Sequence, residues 1–137
     1  MRFILKTIII LIMLSTSIEA ESTTKLRQGL DILYSFDFEN SDSLFFEWVK
    51  EDKQDPLPYY LLAKKYLWFY LGCKDEGDYK IFEKYSAIAI EKAEAEIEKN
   101  NKDYFSRYIA GEVYGLRAIA KAAKQESMDA FWAAKKS

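Results

Sequence analysis

Residues 55–72 read Asp55-Pro56-Leu57-Pro58-Tyr59-Tyr60-Leu61-Leu62-Ala63-Lys64-Lys65-Tyr66-Leu67-Trp68-Phe69-Tyr70-Leu71-Gly72. Aspartate can accept free amides at a helix start, and proline fits the first helical position, where no amide bond is lost. The stretch predicts a helix from Pro56 that carries Tyr59, Leu62, Ala63, Tyr66, Leu67 and Phe69 and ends near Gly72. Upstream, Leu26, Leu30, Leu33 and Tyr34 form a stripe over Thr24–Phe36, with hydroxyl caps available at Ser22–Thr24. The turn-like Asp37–Asn40 leads into a second segment with Leu44, Phe45, Trp48 and Val49 at helical spacing. Downstream, the polar Lys74–Asp78 reads as a loop. A helix over 80–99 follows, with Phe82, Tyr85, Ala89, Ala93 and Ile97 on one face. Another over 103–124 carries Tyr104, Tyr108, Gly111, Tyr114 and Leu116, and a short one, Glu126–Lys135, holds Met128, Phe131 and Trp132. None of these segments alternates as a strand does, so the expected class is all-α.

Composition narrows the function. The 137 residues suffice for one small domain, and two prolines with five glycines favour helices over a turn-rich sandwich. Twenty basic residues face 22 acidic ones. That balance argues against nucleic acid as a partner, because counterion release needs a basic surface. The absence of histidine removes imidazole-based triads and zinc sites, and a single cysteine, Cys73, cannot form an internal disulfide.

The first 20 residues, MRFILKTIIILIMLSTSIEA, place Arg2 and Lys6 before an apolar run, then small polar residues and Ala20. This order is that of a secretory signal, with cleavage expected after Ala20 and Ser17 as the alternative. The run is too short to span a bilayer, which makes an uncleaved membrane anchor the second choice. The expected product is an exported domain over residues 21–137, periplasmic or secreted. In that setting Cys73 is either a buried small hydrophobe or available to another chain.

A repeat runs through the helices. Tyr59-x2-Leu62-Ala63-x2-Tyr66 resembles the W-x2-L-G-x2-Y line of a tetratricopeptide repeat, with tyrosine for tryptophan and alanine for glycine. Gly29 lies 34 residues before Ala63, one repeat length, and Ser41 and then Phe45 follow it at second-helix spacing. Lys53 stands where a closing proline is expected, and Pro56 comes three residues later. Gly111, in Ala110-Gly111-x2-Tyr114, lies 48 residues after Ala63; the excess of 14 is assigned to an insertion in the polar loop around 70–83. The reading is two repeats and the start of a third: stacked antiparallel helix hairpins, a tetratricopeptide-like α-solenoid. With Asp37–Ser41, Asp55–Tyr60 and Tyr114–Ala118, the chain resembles the N-terminal part of a family of exported bacterial tetratricopeptide-repeat proteins. That resemblance implies a solenoid used for protein contact, a chain continuing into further repeats, and no catalytic residues.

The first helix of each hairpin lines the concave face of such an array. The groove positions expected from this geometry are Leu30, Leu33 and Tyr34 in the first helix, Tyr60, Lys64, Leu67 and Trp68 in the third, and Tyr108, Glu112 and Leu116 in the fifth. Tyrosine and tryptophan offer large contact area with few rotors, as binding hot spots require. Tyr34, Tyr60, Lys64, Trp68, Tyr108 and Glu112 are therefore the candidate partner-binding set, for a protein or peptide. Core filling is the competing role, and a small-molecule or lipid pocket is the alternative function. No catalytic residue, cofactor or metal is assigned: Glu91, Glu94 and Glu98 could share a helix face but have no histidine to complete a di-metal site. The apolar face of Met128–Ala133 is expected to belong to a truncated copy of a longer repeat array, with folding back on the fifth helix and self-association as the alternatives.

Overall fold

The structure, a computed structural model, describes residues 20–136, with side chains described as far as residue 128. The expected signal segment lies almost wholly outside these residues. Five helices fill the described chain: α1 (residues 20–34), α2 (Phe38–Glu51), α3 (Pro56–Cys73), α4 (Glu76–Lys99) and α5 (Tyr104–Lys136). No strand occurs among the described residues, so the all-α expectation holds. Among them no helix is long and apolar enough to cross a membrane.

Aspartates open four of the helices. Asp37 accepts from the Asn40 amide, Asp55 from Leu57, Asp75 from Gly77 and Asp78, and Asp103 from Ser106. Each carboxylate takes up amides that lack a partner in the first turn and meets the positive end of the helix dipole. Two helices stop on residues in the left-handed region, Phe36 (φ 60) after α1 and Lys74 (φ 56) at the end of α3. Around Phe36 the Asp37 amide reaches the Ile32 carbonyl at 3.3 Å, the double closure that usually employs glycine.

The polar stretch 74–78 is not the expected loop. Only Lys74 and Asp75 separate α3 from α4, because the Asp75 cap starts the helix at once and Glu76 and Asp78 suit its first turn. The 14 extra residues of the second period are helical instead. α3 runs five residues farther past Ala63 than α1 runs past Gly29, α4 is ten residues longer than α2, and the turn between is one residue shorter. A second correction joins the last two predicted helices into the single 33-residue α5. No glycine or proline interrupts residues 116–136, and Ser127 bonds back to the Ala123 carbonyl rather than capping a new helix.

α3 lies at the centre. It packs most extensively on α4 and also meets α2 and α5, while α5 lies against α4. Ten of its 18 residues are buried, on all sides of the helix, as a fully enclosed helix requires. Gly29 of α1 lies so close to α3 that a Cβ there would run into the Leu61 side chain, and Ala63 is fully buried. Gly111 breaks this pattern: it is exposed, and nothing lies within 4 Å of where its Cβ would be. The expected close contact at a small residue therefore holds in α1 and α3 and not in α5.

Among the described residues a lysine is the one buried charge in this core. Lys65 is 2% exposed; its ammonium bonds Asp42 of α2 and sits 4.9 Å from the Tyr66 ring centre and 5.6 Å from that of Phe69. No buried side-chain polar atom among the described residues lacks a hydrogen bond.

Candidate functional site

The six candidate residues come from α1, α3 and α5, and tertiary packing gathers them into one patch. Tyr34 and Trp68 face each other with ring centres 5.4 Å apart. Next to them, the Tyr60 hydroxyl donates to Glu112 Oε2 at 2.9 Å, which ties α3 to α5. Lys64 Nζ donates to the Tyr60 oxygen at 3.3 Å and lies 4.0 Å from Glu112 Oε2. Tyr108, one turn before Glu112, shares in this network through the Tyr60 hydroxyl, and both feel the Tyr34 phenol.

Exposure divides the set into two roles. Tyr34 is 60% exposed and Tyr108 45%, so both present ring surface to solvent. Trp68 is half-buried, and Lys64 and Glu112 are partly shielded. Tyr60 is fully buried, which corrects its expected place as a contact residue. Its ring is core and only its hydroxyl serves the patch, by holding Glu112. Leu33, Leu67 and Leu116, also expected in the groove, are likewise core. Helical spacing names the side of a helix, but how deep that side is covered depends on the neighbouring helices.

The electrostatics follow the burial. Burial first, and then the Glu112 carboxylate, push the Tyr60 hydroxyl well above the ordinary phenol range. The same two causes raise Tyr108, with Tyr60 acting the other way. Both phenols stay protonated at any physiological pH and remain hydrogen-bond donors. The patch is thus an aromatic surface whose charged groups, Lys64 and Glu112, already face one another. Such a surface suits apolar and aromatic side chains, with polar tips available at its rim. It offers no activated nucleophile with a base beside it.

Two clefts lie away from this patch. A polar one of about 600 Å³ opens where α3 and α5 begin and α2 and α4 end; Lys25 crosses it to Glu51 at 2.8 Å. The other, along Arg27, Gln28 and Asp31, is open. Neither is lined by the six residues. Cys73 is exposed, so it is not the buried small hydrophobe that is one of its two expected states. Glu94, one of the three glutamates weighed for metal, accepts from the Tyr114 hydroxyl at 2.8 Å and so joins α4 to α5.

Comparison with known protein families, with curated proteins and with solved structures finds no match to this chain.

Proposed function

We propose that the chain is an exported, non-catalytic scaffold of stacked, tetratricopeptide-like hairpins, and that the α1–α3–α5 patch binds an apolar segment of a protein or peptide partner. The observation that carries this reading is the convergence of Tyr34, Trp68, Tyr108 and Glu112, drawn from three helices spread over 79 residues, onto one partly exposed surface. The close approach of Gly29 to Leu61 of α3, with Ala63 buried 34 residues after Gly29, supports a hairpin repeat over α1 to α3. The order Arg2, Lys6, apolar run, Ala20 supports export.

The test starts from the proteins that co-purify with the full-length chain from the extracytoplasmic fraction, identified by mass spectrometry. Tyr34→Ala with Trp68→Ala removes exposed ring surface without opening the centre of the core. The double variant is expected to lose the captured partner while its helical circular dichroism stays that of the parent. Unchanged capture would take the aromatic patch out of the function.

A further inference from the structure

The outward face of α5 carries large apolar side chains that none of the described residues covers. Tyr104 is 71% exposed, Tyr108 45%, Tyr114 52% and Ile119 50%, while Gly111, Gly115, Ala118 and Ala122 lie open among them. Both glycines have nothing within 4 Å of a Cβ position. Residues 104, 108, 111, 115, 118 and 122 advance in alternating steps of four and three, the spacing of a seam between paired helices. No charged residue falls on that seam.

The seam is also self-complementary when read backwards. If a second α5 runs antiparallel with its two-fold axis at Val113, then Tyr104 faces Ala122, Tyr108 faces Ala118 and Gly111 faces Gly115. Each large side chain meets a small one, and the two glycines lie at the centre, where the backbones approach most closely. A parallel pairing would set tyrosine against tyrosine and glycine against glycine, leaving voids at one end. The area is adequate. Tyr104 and Tyr108 of the seam and Tyr114 at its edge, at roughly 150–250 Å² apiece and about half exposed, with Ile119 at the other edge and the small residues, give on the order of 500 Å² per copy. Two copies reach about 1,000 Å², the lower bound of a specific interface.

We propose that a second copy of this chain docks antiparallel on this face of α5, through Tyr104, Tyr108, Gly111, Gly115, Ala118 and Ala122. The axis passes beside Glu112 and brings the two Glu112 carboxylates, each held by Tyr60 and Lys64 of its own copy, near one another; Tyr108 packs on the second copy, which leaves Tyr34 and Trp68 to the partner segment. The same register sets Arg107 beside Lys121 of the second copy, and added salt, by screening that repulsion, strengthens the pair.

Arg107 and Lys121 flank the seam without belonging to it, and both are exposed. They are 14 residues apart on one helix, about 21 Å, too far for a short thiol cross-linker to bridge within one chain. The experiment uses the full-length chain with Cys73→Ser, Arg107→Cys and Lys121→Cys, cross-linked in cells and mapped by peptide mass spectrometry. The expected product is a dimer joined from 107 to 121. Adding Ala118→Glu, which buries a carboxylate against an apolar partner, should lower its yield about tenfold or more at unchanged helix content. A control pair at exposed positions 47 and 80 should give only collisional background. Yield no higher than the control, 107–107 or 121–121 links, cross-links only to other proteins, or indifference to Ala118→Glu would each overturn the proposal. Because the readout needs no peptide partner, it stands apart from the capture test of the groove.

Discussion

Lys65 of α3 reaches across to Asp42 of α2 with unequal exposure at the two ends: the lysine side chain is 2% exposed and the aspartate side chain 35%. The carboxylate can find water if its partner is lost, whereas the ammonium cannot. Removing either residue is therefore not the same perturbation. Asp42→Ala strands a buried cation, whose uncompensated burial costs about 3–5 kcal/mol, softened by the Tyr66 and Phe69 rings. Lys65→Met keeps the volume and leaves Asp42 to solvent, so its cost should be near zero, about 1 kcal/mol at most. Urea denaturation of both variants checks the asymmetry, and equal losses would show that the pair acts symmetrically.

Asp55 caps α3 from a largely buried position, and its pKa lies above the ordinary 3.8. Burial is the main cause. The Leu57 amide opposes it, while Asp52 adds to it. A folded-state pKa above the unfolded one means that the folded chain holds the proton more tightly. This group's contribution is thus fully present below about pH 3.8 and is lost as pH rises through the raised value. Asp55→Asn keeps a good cap without the buried charge. Relative to the parent it should gain stability between acid and neutral pH, and Asp55→Ala should lose about 1 kcal/mol of capping at acid pH, where no charge is involved. Denaturation midpoints at both pH values decide the sign.

Phe36 holds a positive φ with an exposed ring, at a place where glycine would carry no steric penalty. The left-handed conformation costs a non-glycine residue roughly 1–2 kcal/mol. Phe36→Gly recovers this and gives up the edge contact with Phe38 at 5.9 Å, as well as some chain entropy. A net gain of up to about 1 kcal/mol is expected, read as a rise in Tm. A fall would mean that the Phe36–Phe38 contact outweighs the strain.

The helices were legible because their signals are local. Asp55-Pro56 starts α3 by capping and by the fixed φ of proline, and the apolar spacing of Phe82, Ala89 and Ala93 marks the inner face of α4. Where the reading failed, composition was taken for conformation. Lys74–Asp78 is polar, as loops are, but Asp75, Glu76 and Asp78 are also what a helix start favours. The split placed before Glu126 had no breaking residue to support it, and α5 continues through it.

Sequence alone determined that each of the five helices contains a helical stretch, the chemistry lacking in a chain without histidine, and the sides of α1, α3 and α5 that carry aromatic groups. These follow from capping, periodicity and residue type, which act within a few residues of chain. Only the tertiary structure decided that Tyr60 is core while Tyr34 and Tyr108 stay exposed, that Lys65 finds Asp42, and that Gly111 faces open space where Gly29 meets Leu61. Depth of burial is a property of the neighbouring helices, and which helix becomes a neighbour is settled when α3 encloses its apolar sides on all the others.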